Sequence, residues 1–363
     1  MKCKFNSLVI AVAATLAAGS ALAQSTVSVE GLVDMSAGSI KYSGDTGKTL
    51  AVNSGGMTTS WLGFKGVEDL GNGMKVDFAL TSFLQADSGQ SGRFYGDTLF
   101  SRDANVGISG SFGKVSLGRN LSPNFLPVVI FNPFGDSFNF SPLVLHTWVP
   151  NGSYAARTWV NSSAGDSGWS NEIIYTTPNY NGLSANFHYQ AGEKAGQTGV
   201  NNVGMNVLYF NGPLALTAYY HQVQVGNPTP GAIVDATSSP INYASINYQK
   251  SYFVGGSYDL TAAKLFATYS STKDDTSSTA TMTDKTYSLG AKVPAAGGNI
   301  LLAYADTKRT GSLVGADLSR NTFSGGYDYD LSKRTDVYAV VMSDKINTAD
   351  RANSVAVGIR HKF

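Results

Sequence analysis

The chain has 363 residues, only 14% of them charged, with 26 basic against 25 acidic side chains. So even a balance supplies no basic surface for nucleic acid, and losing Lys2 and Lys4 with a leader merely reverses the small excess. The single cysteine, Cys3, lies between those two lysines, so a processed chain has neither a disulfide nor thiol chemistry.

Lys2 and Lys4, the apolar run Leu8 to Ala18 and the small-residue end Ala21-Leu22-Ala23 form the three parts of a secretory signal peptide, predicted as residues 1–23. The run is shorter than the roughly 20 apolar residues that a membrane helix needs. Gln24, not cysteine, follows the cleavage site, which argues against a lipid anchor. Further on no apolar run reaches roughly 18 residues, so a β-barrel is the remaining way to cross a membrane.

From Thr26 to the end one unit recurs: alternating residues, a tight turn, another alternating stretch, a longer polar loop. In chain order the alternating runs centre on Thr26 to Met35, Trp61 to Gly66, Lys75 to Phe83, Ala104 to Ser109, Lys114 to Arg119, Asn171 to Thr177, Leu183 to Tyr189 and Val203 to Phe210. They continue with Leu214 to Tyr220, Tyr252 to Tyr258, Leu265 to Tyr269, Tyr287 to Val293, Ile300 to Tyr304, Phe323 to Tyr329, Val337 to Val341 and the final strand from Ala352. Short turns such as Asn179-Tyr180-Asn181-Gly182 are expected on the periplasmic side and long polar loops such as Lys41 to Gly56 outside. In the final strand Val355, Val357, Ile359, His361 and Phe363 share one face, with Ala356, Gly358, Arg360 and Lys362 on the other. A strand that ends the chain on an aromatic residue leaves a bare edge unless it pairs with the first strand and closes the sheet. The predicted fold is all-β, a sixteen-stranded antiparallel transmembrane β-barrel spanning 24–363.

One connection, 120–168, is too long for an ordinary loop and is aromatic where the others are polar, with Phe125, Phe131, Phe134, Phe138, Phe140 and Trp148. Those side chains need burial. Folding the segment into the channel of a sixteen-stranded barrel would supply it and narrow the passage; an outer lid or a subunit contact is the other way to cover them.

Several motifs resemble the general trimeric porins of Gram-negative outer membranes, most closely those of betaproteobacteria. They are the Val33-Asp34 opening, Leu62-Gly63-Phe64-Lys65-Gly66-Val67-Glu68-Asp69-Leu70-Gly71, Ser116-Leu117-Gly118-Arg119-Asn120, Asn132-Pro133-Phe134-Gly135-Asp136 and Val357-Gly358-Ile359-Arg360-His361-Lys362-Phe363. The resemblance implies a homotrimer in the outer membrane, in contact with its lipid and lipopolysaccharide, that passes ions and small hydrophilic solutes by diffusion, with neither cofactor nor catalysis. It implies that the third extracellular loop folds inward, with Asp136 as its acid facing a basic wall of Lys75, Arg102 and Arg119, Asp77 being an acidic neighbour. It also implies that Phe363, with His361 and Ile359, is read by the barrel-assembly machinery.

The chain departs from the family at Trp61, where arginine is common, and again near Gly168 or Trp169. A thinner positive ladder argues against strong anion selectivity, and exposed aromatic faces would favour stacking with sugars or planar solutes. His146, His188, His221 and His361 are scattered, with neither metal-ligand spacing nor a nucleophile motif beside them. The competing reading is an outer-membrane or secreted all-β binding protein or adhesin without an open pore.

Overall fold

The structure is a computed structural model that describes residues 26–94, 96–151, 159, 162–196, 199–227, 246–276 and 280–363. The predicted signal peptide lies outside the described residues, as does much of the loop after Val225.

Among the described residues eighteen strands form one antiparallel sheet: β1 Thr26–Ile40, β2 Thr49–Ser54, β3 Trp61–Gly71, β4 Met74–Gln85, β5 Gln90–Ser91, β6 Asp103–Gly110, β7 Gly113–Leu121, β8 Gly168–Thr176 and β9 Leu183–Ala191. They continue as β10 Asn201–Asn211, β11 Leu214–Val223, β12 Ile246–Asp259, β13 Lys264–Thr276, β14 Thr281–Ala295, β15 Gly298–Thr310, β16 Leu318–Asp330, β17 Thr335–Ile346 and β18 Ala352–Lys362. The two short pieces, β2 and β5, are accessory, so sixteen strands make the wall.

Pairing of β1 with β18, from Leu32↔Lys362 to Ser39↔Val355, closes the barrel and leaves the terminal strand with partners on both sides. At the seam Gly31 and Phe363 exchange two backbone hydrogen bonds of 3.0 Å. The Phe363 ring lies against Gly31, where even a Cβ would collide with it.

Exposure alternates along each strand in the sense opposite to a soluble sheet. Val355, Val357 and Ile359 are about half exposed while Ser354 and Ala356 are buried; Tyr287 and Leu289 stand out while Thr286 and Ser288 are covered. Apolar residues therefore face outward and polar ones inward, the arrangement that lipid outside and water inside demand. The tight turn at Asn181-Gly182 runs through positive φ at both residues (53° and 91°), which asparagine and glycine tolerate best.

On the second side of β1 the partner strand is interrupted. β3 pairs with Thr26 to Leu32 and β2 with Met35 to Ile40, and between them residues 55–60 leave the sheet in a bend at the level of Val33 and Asp34.

Candidate functional site

The segment between β7 and β8 carries two short helices, α1 Phe125–Ile130 and α2 Pro142–Trp148, the second begun by Ser141, whose hydroxyl accepts from the Val144 amide. Pro142 at the first turn of α2 costs no hydrogen bond there. Phe131, Phe134, Phe140 and Trp148 of the segment are buried against the covered face of the wall, and Phe125 and Phe138 are partly buried. Phe134, Phe140 and Leu145 pack with Met57, Leu301, Tyr338, Val340 and Met342, while Val128, Leu143 and Trp148 pack with Tyr219 and Phe253. Fully burying a large side chain is worth about 1.5–3 kcal/mol, so Phe131, Phe134, Phe140 and Leu145 alone bind the segment firmly.

Polar contacts fix its height. His146 bonds Thr307 and Thr322 through its two ring nitrogens at 2.8 Å each, and burial, with Arg320 nearby, pushes its pKa well down, so it is neutral. Arg320 of β16 joins Asp344 of β17 (2.9 Å) to Asn151 Oδ1 (3.0 Å) and the Leu145 carbonyl (3.4 Å). Arg309 of β15 grips Asp284 through two nitrogens and lies 4.2 Å over the Trp159 ring.

Asp136 sits on a turn framed by Asn132, whose side chain donates to the Val128 and Gly135 carbonyls and accepts from the Phe134 amide and the Ser141 hydroxyl. Asp136 faces the 55–60 bend. Its Oδ1 accepts from the Thr58 hydroxyl at 2.9 Å, and the same hydroxyl accepts from Arg360 Nη1 at 2.9 Å, so Thr58 links an acid of the segment to a cation of the wall. Burial raises the Asp136 pKa, partly offset by the Thr58 bond and by the nearby charges of Arg360 and Arg102. Arg360 also holds Asp336 at 3.1 Å and Asp328 at 3.4 Å.

The other residues singled out in the sequence occupy two different places. Lys75, Asp77 and Arg102 line a cavity of about 700 Å³ together with Lys65, Lys114 and Asn186. Most of these charges are already paired: Lys114 with Asp77, Arg102 with Asp103 (2.7 Å) and Lys65 with Glu30 (3.0 Å). Arg102 lies 4.2 Å and Lys65 5.2 Å over the ring of Trp61, so cations already stack on this aromatic.

Arg119, expected on the wall opposite Asp136, lies on wall strand β7, where it is buried and donates to the Ser101 and Gly168 carbonyls, Ser170 and Asp166. Asp166 also receives two bonds from Arg93, at 2.6 and 3.0 Å. Burial alone would raise the Asp166 carboxyl, but Arg93 and then Arg119 outweigh it and hold it at about 2.

Sequence reasoning missed Thr58, Asp166 and the Arg309–Asp284 and Arg320–Asp344 pairs. It had placed Arg360 on the inward face of β18 without giving it a role. For the two pairs and Arg360 the usable signal was a charged residue at a strand position whose alternation points into the barrel; Thr58 and Asp166 lie outside the strands and carried no such signal.

Comparison with known proteins gives this architecture its place. The family model for Gram-negative porins matches residues 9–349. The outer membrane porin protein 32 of Delftia acidovorans is 29% identical over 98% of this chain and 99% of its own. Among solved structures the anion-selective porin of Comamonas acidovorans superimposes with a TM-score of 0.73 at 26% identity, covering 94% of this chain and 100% of that one. The trimer form of OmpT of Vibrio cholerae gives 0.65 at 16% identity, covering 93% and 99%. With a closed sixteen-strand wall, lipid-type residues outside, polar ones inside and a family match over most of its length, the chain belongs to the Gram-negative porins and is a channel of the outer membrane.

Proposed function

We propose that the 120–168 segment lies inside the barrel as the constriction and that the pore is only weakly ion-selective. The observation that carries this is the Asp136–Thr58–Arg360 link, which ties the segment to the covered, polar face of the wall. A carboxylate on one side of a narrow passage and a guanidinium on the other set up a transverse field that orients solutes without a binding pocket. Neutralising pairs along the wall leave little uncompensated charge to reject either sign. The anion selectivity named for the Comamonas relative is therefore expected to be muted here. The solutes are ions and small hydrophilic molecules that pass by diffusion.

Reversal potentials in a planar bilayer under a salt gradient test this reading. Near neutral pH the permeability ratio should stay within a few-fold of unity. Because burial raises the Asp136 pKa, its charge is lost at a higher pH than for an ordinary carboxylate, so mild acidification should move the pore toward anions. Asp136→Asn should remove most of that shift. Strong anion selectivity at neutral pH, with no dependence on Asp136, would refute the proposal.

The same reading places the mature chain, after loss of residues 1–23, in a homotrimer, in line with the trimer form of the OmpT relative. It meets outer-membrane lipid and lipopolysaccharide, and the assembly machinery reads its last strand. Deleting Phe363 removes a half-exposed ring and the seam's last backbone bonds, a direct cost of about 1–2 kcal/mol. Trimer yield in cells should fall well beyond refolding yield in detergent. Equal losses would assign Phe363 to stability alone.

A further inference from the structure

We propose that Asp34 is a positioning residue for ion selection. Its carboxylate fixes the 55–60 bend so that Thr58 couples Asp136 to Arg360. The inference rests on the constriction reading above.

The need for such a residue follows from the break in the sheet. Where β2 and β3 part, residues 55–60 lose the ladder partners that a continuous strand would give them, and buried amides without partners are costly. Asp34 stands at that gap, fully buried and pointing inward. Its Oδ2 accepts from the amides of Met57 and Thr58, both at 2.7 Å, and its Oδ1 accepts from the Tyr338 hydroxyl of β17. Its backbone holds the two feet of the bend: the carbonyl accepts from the Gly55 amide at 2.8 Å and the amide donates to Ser60 Oγ at 3.0 Å.

The bend is thus clamped by one side chain at the amide of the very residue whose hydroxyl bridges acid and cation. Gly56 completes the fit, since a Cβ there would strike the Tyr338 hydroxyl and come within 3.0 Å of Ser36. On its far side the bend is held by the 120–168 segment, through Ser137 to the Gly56 carbonyl (2.7 Å) and Asn139 to the Gly55 carbonyl (2.8 Å). Charged acceptors make the stronger hydrogen bonds, which accounts for an aspartate, and not a serine, at this place. Losing the clamp frees the Thr58 backbone to move its hydroxyl off the Asp136–Arg360 line. A buried Asp34 that touches no solute therefore acts on the passing ion through Thr58.

A double-mutant cycle on the reversal potential of full-length trimers in a planar bilayer tests this. Asp34→Ala and Thr58→Val should each change the anion-to-cation permeability ratio in the same direction, by on the order of threefold, as expected for one charge pair rearranged at a few ångströms across water. The double variant should go no further than the singles. Asp34→Asn keeps an oxygen for the two amides and should restore most of the wild-type ratio, which a general loss of stability would not do. If Asp34→Ala yields no folded trimers, Ser60→Ala carries the same cycle, because it cuts the Ser60 foot of the bend and leaves the carboxylate in place. Additive effects, or no effect of the clamp variants while Asp136→Asn still shifts the ratio, would overturn the role of Asp34 and leave the constriction standing. Unchanged ratios in all variants, Asp136→Asn included, would refute the constriction itself.

Discussion

Replacing Arg320 by alanine is expected to destabilise the folded barrel by about 3–5 kcal/mol, the typical cost of removing one partner from a buried ion pair. Asp344 would be left fully buried with its charge uncompensated; the Leu145 carbonyl would lose its bond to the wall and the Asn151 side chain one of its two in the same step. The residual bonds from Thr322 and from the Asn151 amide group to Asp344 cannot replace a guanidinium. Since Leu145 and Asn151 belong to the 120–168 segment, the effect should reach the pore as well. Unfolding in detergent should start at a lower urea concentration, and the surviving channels should show larger, noisier current steps. Replacing both Arg320 and Asp344 by leucine should recover much of the stability, because no buried charge then lacks a partner. An Arg320→Ala barrel as resistant as the wild type, with unchanged steps, would mean that the pair does not hold the segment.

The wall was legible in the sequence because period-two alternation survives where lipid and water replace a core. Val355, Val357 and Ile359 against Ser354 and Ala356 needed no tertiary information. All sixteen wall strands lie where the alternating runs were. Strand lengths were less legible. Ala37 to Ile40 fall between the expected first strand and the polar loop expected from Lys41, yet Ala37 to Ser39 pair with Leu50 to Val52 on one side and Val355 to Val357 on the other. The accessory β2 was hidden for the same reason, inside a stretch rich in Gly, Ser and Thr.

The burial of Phe131, Phe134, Phe140 and Trp148 was expected from their chemistry. The charge pairing was not open to such reasoning, since which acid meets which base depends on register and on where a long loop returns. Arg119 illustrates this, because its partner Asp166 lies 47 residues on, and Arg93, which shares that acid, comes from another loop. Arg102 is neutralised by its own neighbour Asp103, which alternation would have placed on the opposite face. Asp34 was visible only as part of a short motif. Its role depends on a bend that leaves the sheet at that one position, which no local pattern announces.

The largest effect on transport is expected from Asp136→Lys. The exchange puts a cation where an acid now meets the Thr58 hydroxyl, beside Arg360 and within the field of Arg102. Two like charges at that separation repel by about 1 kcal/mol even at the dielectric constant of water, and by several times more at a protein surface, so the local field should reverse and not merely weaken. The change also exceeds that of Asp136→Asn, since it both deletes a negative charge and adds a positive one.

The direct measurement is the zero-current potential of Asp136→Lys trimers across a salt-gradient bilayer, set against the wild type at the same pH and against a control such as Asp317→Lys, which exchanges an acid exposed on the loop before β16. If the 120–168 segment narrows the channel at Asp136, the variant should become clearly anion-selective, by on the order of tenfold in permeability ratio, while the control stays near the wild type. An Asp136→Lys pore with the wild-type zero-current potential would show that ions do not pass this residue and would contradict the constriction outright.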